Sequence, residues 1–254
     1  CLEVGLDLVP LVDSDQDGEI LERIVSARKQ FAQDLGLVIP MVMVRDNIRL
    51  KSKEYQILLK GNVIAKGSVL TSKELAMAPD ENGETIEGIK TKEPAYGLEA
   101  LWINESQRDE ALFKGYTVVN SSTVIVTHLT KIIQDYAPEL IGRQETQKMV
   151  NRVKEESPKL VEEVLSNESL TLGTIVQVLK NLLREGVSII DKLTIFETLA
   201  DYCKKFKHPD ALTKYVRRSL GRGIIKKYIV GQNNISVMVL DRALEDVLIS
   251  SLKE

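Results

Sequence analysis

Between residues 141 and 221 the sequence carries almost nothing but helical apolar spacing, cut into short pieces by proline and glycine. Met149 and Val153 belong to one piece, stopped before Pro158. Leu172, Ile175, Leu179 and Leu182 share a face of the next, which runs out at Gly186. Asp191 is placed to cap DKLTIFETLADYCKK. Pro209 stands in the first turn of a segment whose inward residues are Leu212, Val216 and Leu220. Short helices joined by short loops bury such faces against one another, so a compact helical bundle is expected here.

The flanks differ. Ile20, Ile24, Ala27, Phe31 and Leu35 recur at helical spacing, with Asp17 as N-cap and Gly36 as C-cap. VIPMVMVRD predicts a strand near 41–45. EYQILLK and VIAKGSV flank Gly61-Asn62, a two-residue hairpin signal. Residues 72–120 are polar and rich in turns. They hold a short helix near 105–114, boxed by Asn104 and Gln107 and closed by Gly115, and a short strand at 116–119. Ser121 or Ser122 then caps a helix carrying Ile125, Leu129, Ile132 and Tyr136, ending before Pro138. At the far end IIKKYIV and ISVMVL read as strands around GQNN (231–234), followed by a helix over 241–252 with Leu244, Val247, Leu248 and Leu252 inward. The fold class is therefore α+β with several subdomains, the last one underfilled.

Chemistry is scarce. A net charge of −3 gives no electrostatic case for nucleic acid or an anionic membrane surface. Cys1 and Cys203 make neither a disulfide framework nor a C-x-x-C site. Asp13, Asp15, Asp17 and Gly18 open like a calcium loop, but the position that needs a bidentate Glu is Ile24. His128 and His208 lie far apart with no further ligands near them. No Walker A motif, G-x-G-x-x-G or G-x-S-x-G elbow occurs. Neither an enzyme nor a metal or cofactor site is expected. A helix followed by a hairpin over 208–240, with Arg217, Arg218, Arg222, Lys226 and Lys227 clustered, is also the order of a winged-helix nucleic-acid reader; the acidic balance elsewhere argues against it.

One stretch stands apart. In KTKEPAYGLEALWI (90–103), Tyr96 and Trp102 sit behind Pro94 in a chain that is only 5% aromatic and has a single Trp. Trp102, next to Ile103, is expected to fold inward into a satellite core. Tyr96, between Ala95 and Gly97, is expected at the surface, where an aromatic ring suits a protein interface.

VRDN (44–47), TKEPAYGLEALWI (91–103), GYTVV with STV and THL (115–129), LIGRQE (140–145) and LKNLLREGVSI with ETLADY (179–202) resemble the cytoplasmic half of the FHIPEP family, the export gates of flagellar type III secretion. The resemblance runs from about residue 3 to the end. Virulence-injectisome export gates are similar; GRQE and EPAYGL lean flagellar.

The resemblance implies four subdomains: 1–71 plus 121–140 (mixed α/β), an inserted 72–120, a helical 141–221, and an incomplete fourth over 222–254. It implies a nine-subunit ring below the export pore, at the flagellar basal body on the cytoplasmic face of the inner membrane. Attachment to the membrane would come only through an N-terminal half not included here. Partners would be flagellar export chaperones carrying filament-type substrates and other export components. The family's docking Asp and Phe correspond to Glu93 and Tyr96 of Glu93-Pro94-Ala95-Tyr96, and its docking Thr to Thr127. Val119 and Val124 match apolar positions near that dimple. On this basis Tyr96 would enter an apolar pocket of the chaperone while Glu93 and Thr127 hydrogen-bond around it.

Overall fold

The computed structural model describes residues 1–13, 18–78, 85–166, 170–226, 228–229 and 234–251. It is a mixed α/β structure with two small sheets and a helical region.

The first sheet has the order β2–β1–β3–β4. β1 (Leu2–Val4) runs parallel to β2 (Val44–Asp46) and antiparallel to β3 (Glu54–Leu59), which pairs with β4 (Asn62–Ser68). Short α1 (Val9–Val12) and long α2 (Glu19–Asp34) cross over between β1 and β2. The strand expected at 41–45 is thus shorter and later. The hairpin turn also sits one residue earlier than Gly61-Asn62. Lys60 (φ 51°) and Gly61 (φ 85°) form it, with Leu59 opposite Asn62, because a register shift at Ile57/Leu58 consumes a residue.

The second sheet is antiparallel, in the order β6–β7–β5–β8: β5 (Glu74–Met77), β6 (Ile89–Lys92), β7 (Glu99–Ile103) and β8 (Thr117–Val119). Strand alternation sends Leu75 and Trp102 to one face and Ala76 and Ile103 to the other. Leu75 and Trp102 join the core of the first sheet, packing with Leu2, Val4, Ile24 and Tyr55. Trp102 therefore belongs to a large core and not to a satellite. Ala76 and Ile103 close a small core with Ala111 of α3 (Arg108–Phe113), Tyr116 and Val118.

α4 (Ser121–Asp135) packs against the first sheet through Val124, Ile125 and Leu129. Its cap is neither of the serines predicted but Asn120, whose extended backbone lets Oδ1 accept the Thr123 amide at 2.9 Å. Ser121 instead donates its hydroxyl to the Leu70 carbonyl. Asp17 lies outside the described residues; Gly18 precedes α2.

The helical region follows the predicted breaks. α5 (Ala137–Leu140), α6 (Arg143–Glu156), α7 (Pro158–Ser166), α8 (Leu172–Arg184), α9 (Lys192–Tyr202) and α10 (Pro209–Ser219) surround one core. Asp191 caps α9 by accepting the Thr194 amide at 3.1 Å. Phe31 and Leu35, at the end of α2, are part of this core, whereas Ile20 and Ile24 of the same helix are part of the first. The two bodies also join by backbone. The Ile189 amide donates to the Leu35 carbonyl at 2.9 Å, and Gly36 (φ +72°) lies so close that an added Cβ would stand 2.6 Å from the Ile190 Cα.

The C-terminal expectation fails. Residues 221–226 form α11 (Gly221–Lys226) and not a strand, and 235–240 are neither helix nor strand. Backbone N–H and C=O groups need a partner to form a sheet, and no described strand is aligned with either segment. The winged-helix reading loses its hairpin with them. α12 (Arg242–Ser251) forms as predicted, yet Leu244, Val247 and Leu248 are all exposed; Leu252, Lys227 and most of the GQNN turn lie outside the described residues.

Candidate functional site

The connection between β6 and β7 is a single helical turn, and its sequence explains why. Glu93 occupies the N-cap position, Pro94 the first helical position with its φ preset, and Gly97 (φ +72°) the left-handed residue that ends the turn. The Gly97 amide donates to the Glu93 carbonyl at 2.9 Å, and the Glu93 amide to the Leu98 carbonyl at 2.8 Å. The Glu93 carboxylate accepts the Ala95 amide through Oε1 at 2.8 Å and the Tyr96 amide through Oε2 at 2.7 Å.

These bonds decide what the turn shows to solvent. Glu93 is only 4% exposed, while Tyr96 is 61% exposed and Leu98 beside it 54%. The Tyr96 ring meets α4, where Lys131 Nζ lies 5.9 Å from its centroid, within cation–π range. Lys131 also pairs with Asp135 at 2.6 Å. Thr127 is half-buried one helical turn before Lys131, on the same face of α4.

The structure thus brings Tyr96, Lys131 and Thr127 onto one surface. Val119, at the end of β8, and Val124, on α4, pack into the first-sheet core; Val124 is 2% exposed and presents no area outward. Glu93 faces inward, so the hydrogen bond to a partner that the resemblance suggested is already made to the chain itself. Lys131 escaped the sequence reading. Its signal was its place four residues after Thr127 on a helix.

Beneath the turn, α4 is keyed to the first sheet by a buried polar contact. Tyr55 Oη and His128 Nδ1 are 2.8 Å apart, and the rings meet edge to face. Burial pushes the Tyr55 phenol up, reinforced by the nearby Glu93 carboxylate. Burial pushes the His128 imidazole down, opposed by the same carboxylate. Both groups are therefore neutral near neutrality, and the contact is a neutral hydrogen bond. β4 makes room for it at Gly67, where a Cβ would lie 2.4 Å from Tyr55 Oη.

No titratable set here resembles a nucleophile and base. Ile24, where a calcium loop would need its Glu, is 5% exposed in the core, and among the described residues no group of three or more His, Cys, Asp or Glu gathers. Nor, among them, is any helix long and apolar enough to cross a membrane.

The sequence matches the FHIPEP family over residues 1–254. It is 45% identical over 252 residues to the flagellar biosynthesis protein FlhA of Bacillus subtilis, covering 99% of this chain and 37% of that protein. The chain therefore spans little more than a third of that relative. Among solved structures, the Chlamydia pneumoniae CdsV protein superposes with a TM-score of 0.84 at 29% identity, over 98% of this chain and 72% of that one. The nonameric EscV cytosolic domain from the type III secretion system superposes with a TM-score of 0.66 at 27% identity, over 89% of this chain and 66% of that one.

Proposed function

Because this chain belongs to the FHIPEP family, we propose that it is a non-enzymatic docking and gating platform of the flagellar type III export apparatus. In this reading it receives export chaperone–substrate complexes on the cytoplasmic side and passes substrates to a membrane gate. The flagellar version is favoured over the injectisome one by identity: 45% to the Bacillus FlhA protein against 27% to EscV. The four-subdomain division, assembly into a ring, and a position at the flagellar base on the inner membrane are part of the same proposal. The nonameric state of EscV supports the ring.

The single observation that carries docking is the exposure of Tyr96 on a braced turn beside α4; Phe113 and Tyr228 are exposed as well, Phe113 at the end of α3. A chain with few aromatics buries Trp102 at 5% exposure and leaves Tyr96 at 61%, on a turn held by four hydrogen bonds and flanked by α4. A rigid, amphipathic ring beside a cation is the sort of anchor around which small protein interfaces are built.

The test is a titration of a purified flagellar chaperone–substrate complex into this chain and into Tyr96→Ala, with thermal melts alongside. Loss of the anchor is expected to weaken binding at least about tenfold, equal to about 1.4 kcal/mol, with an unchanged melt. Unchanged binding would place docking elsewhere. An early melt would make Tyr96 a structural residue.

A further inference from the structure

We propose that Glu93 is a positioning residue, which fixes the pose of Tyr96 and acts on partner binding only through it. The inference rests on the docking reading above but assigns Glu93 a different part in it from the one the family resemblance suggests.

The geometry is specific. A one-turn helix has no stability of its own, because nucleation costs more than a single bond returns. Here the turn is closed from below. The two carboxylate oxygens of Glu93 each take a separate amide, Ala95 at 2.8 Å and Tyr96 at 2.7 Å. The second of these is the backbone of the very residue that carries the exposed ring. Pro94 fixes the bond between cap and turn, and Gly97 at φ +72° lets the chain leave it. With each oxygen engaged and only 4% of the residue exposed, the Glu93 carboxylate is turned to the chain and not toward a partner. What it controls is how narrowly the Tyr96 ring is held over α4, and hence how little ordering is left for the moment of binding.

The decisive experiment is a double-mutant cycle with a partner-free readout. Glu93→Ala, Glu93→Gln, Glu93→Asp, Tyr96→Ala and Glu93→Ala/Tyr96→Ala are titrated with the same purified chaperone–substrate complex. Amide exchange at Ala95, Tyr96 and Gly97 is measured on each unliganded chain. Glu93→Ala is expected to speed exchange in the turn and weaken binding, each about tenfold. In the Tyr96→Ala background it should change binding by less than about twofold, since the two residues act as one unit. Glu93→Asp keeps two acceptor oxygens and should restore slow exchange and binding to near the parent level. Glu93→Gln keeps one and should fall between. It also covers the case in which alanine unfolds the turn's surroundings.

Unchanged exchange in Glu93→Ala would show that the carboxylate does not hold the turn. Effects of Glu93→Ala and Tyr96→Ala that multiply would show that Glu93 touches the partner directly. Either result overturns the proposal. If Tyr96→Ala alone leaves binding intact, the docking reading of this turn falls. The assignment of Glu93 as the residue that holds the turn is then decided by the exchange rates.

Discussion

Glu3 shows what a residue gains from its strand neighbours. β1 places it between Arg45 of β2 and Gln56 of β3 in register. Its carboxylate accepts from Gln56 at 2.6 Å, from Arg45 Nε at 2.9 Å and from Asn47 at 2.5 Å. These bonds, Gln56 foremost, lower its pKa from the ordinary 4.5 to about 2. A depressed carboxylate stabilises the fold above the unfolded value and loses that contribution as pH falls through the folded value. Stability should therefore decline between pH 4.5 and about 2 by one proton's worth more than in Glu3→Gln, and melts across that range would read it as a steeper slope in the parent. A second prediction concerns Gly67. Gly67→Ala would drive a methyl into the Tyr55 hydroxyl and disturb its bond to His128, so a loss on the order of 1–3 kcal/mol is expected in denaturant unfolding. At this scale the sequence was partly legible. Ala95 and Gly97 pointed correctly to an exposed Tyr96. The inward turn of Glu93 was not readable, because the same three residues that signal a capped turn also signal an open loop until the strands on either side are placed. Tyr55 and His128 lie 73 positions apart, and nothing local to either marks the other.

Among elements, periodicity was a good guide and exact ends were not. α8, α9 and α10 fall where apolar spacing, Asp191 and Pro209 put them. The start of α4 was missed by one or two residues because three consecutive residues, Asn120, Ser121 and Ser122, can all cap. Only the backbone chooses, and it is extended at Asn120 (ψ 167°). Asn120→Ala is expected to cost about 1 kcal/mol, seen as a lower melting temperature and faster exchange in the first turn of α4. Strand prediction failed over 224–226 and 235–240 for a different reason. β-Branched and apolar residues such as Ile225, Val237 and Val239 favour strands only when a neighbouring strand and a covering layer exist. Composition can announce the preference but not the neighbour.

At the scale of the molecule, α2 is the element that spans two cores. Ile20 and Ile24 serve the first sheet, and Phe31 and Leu35 serve the helices. Helical spacing revealed the apolar stripe of α2 but not that its two ends face different cores, one built partly from strands close in sequence and the other from helices more than a hundred residues on. Phe31→Ala should cost ~3–5 kcal/mol. The loss should be felt in the helical region: exchange at buried amides of α8, such as Leu179, should quicken along with those of α2. Protection lost in α2 alone would show that the two cores are energetically separate.

The seam at Gly36 bears on how such a chain can change over time. There the bodies meet through main-chain atoms, the Leu35 carbonyl and the Ile189 amide, and main-chain atoms are common to every residue. The side chains beside it are nonetheless not free: Leu35, Leu37 and Ile189 are all buried in the helical core. Tolerance stops altogether at position 36, where any side chain would strike the Ile190 backbone. A deep substitution scan should therefore find position 36 closed to every side chain, with positions 35, 37 and 189 open only to apolar residues of similar size.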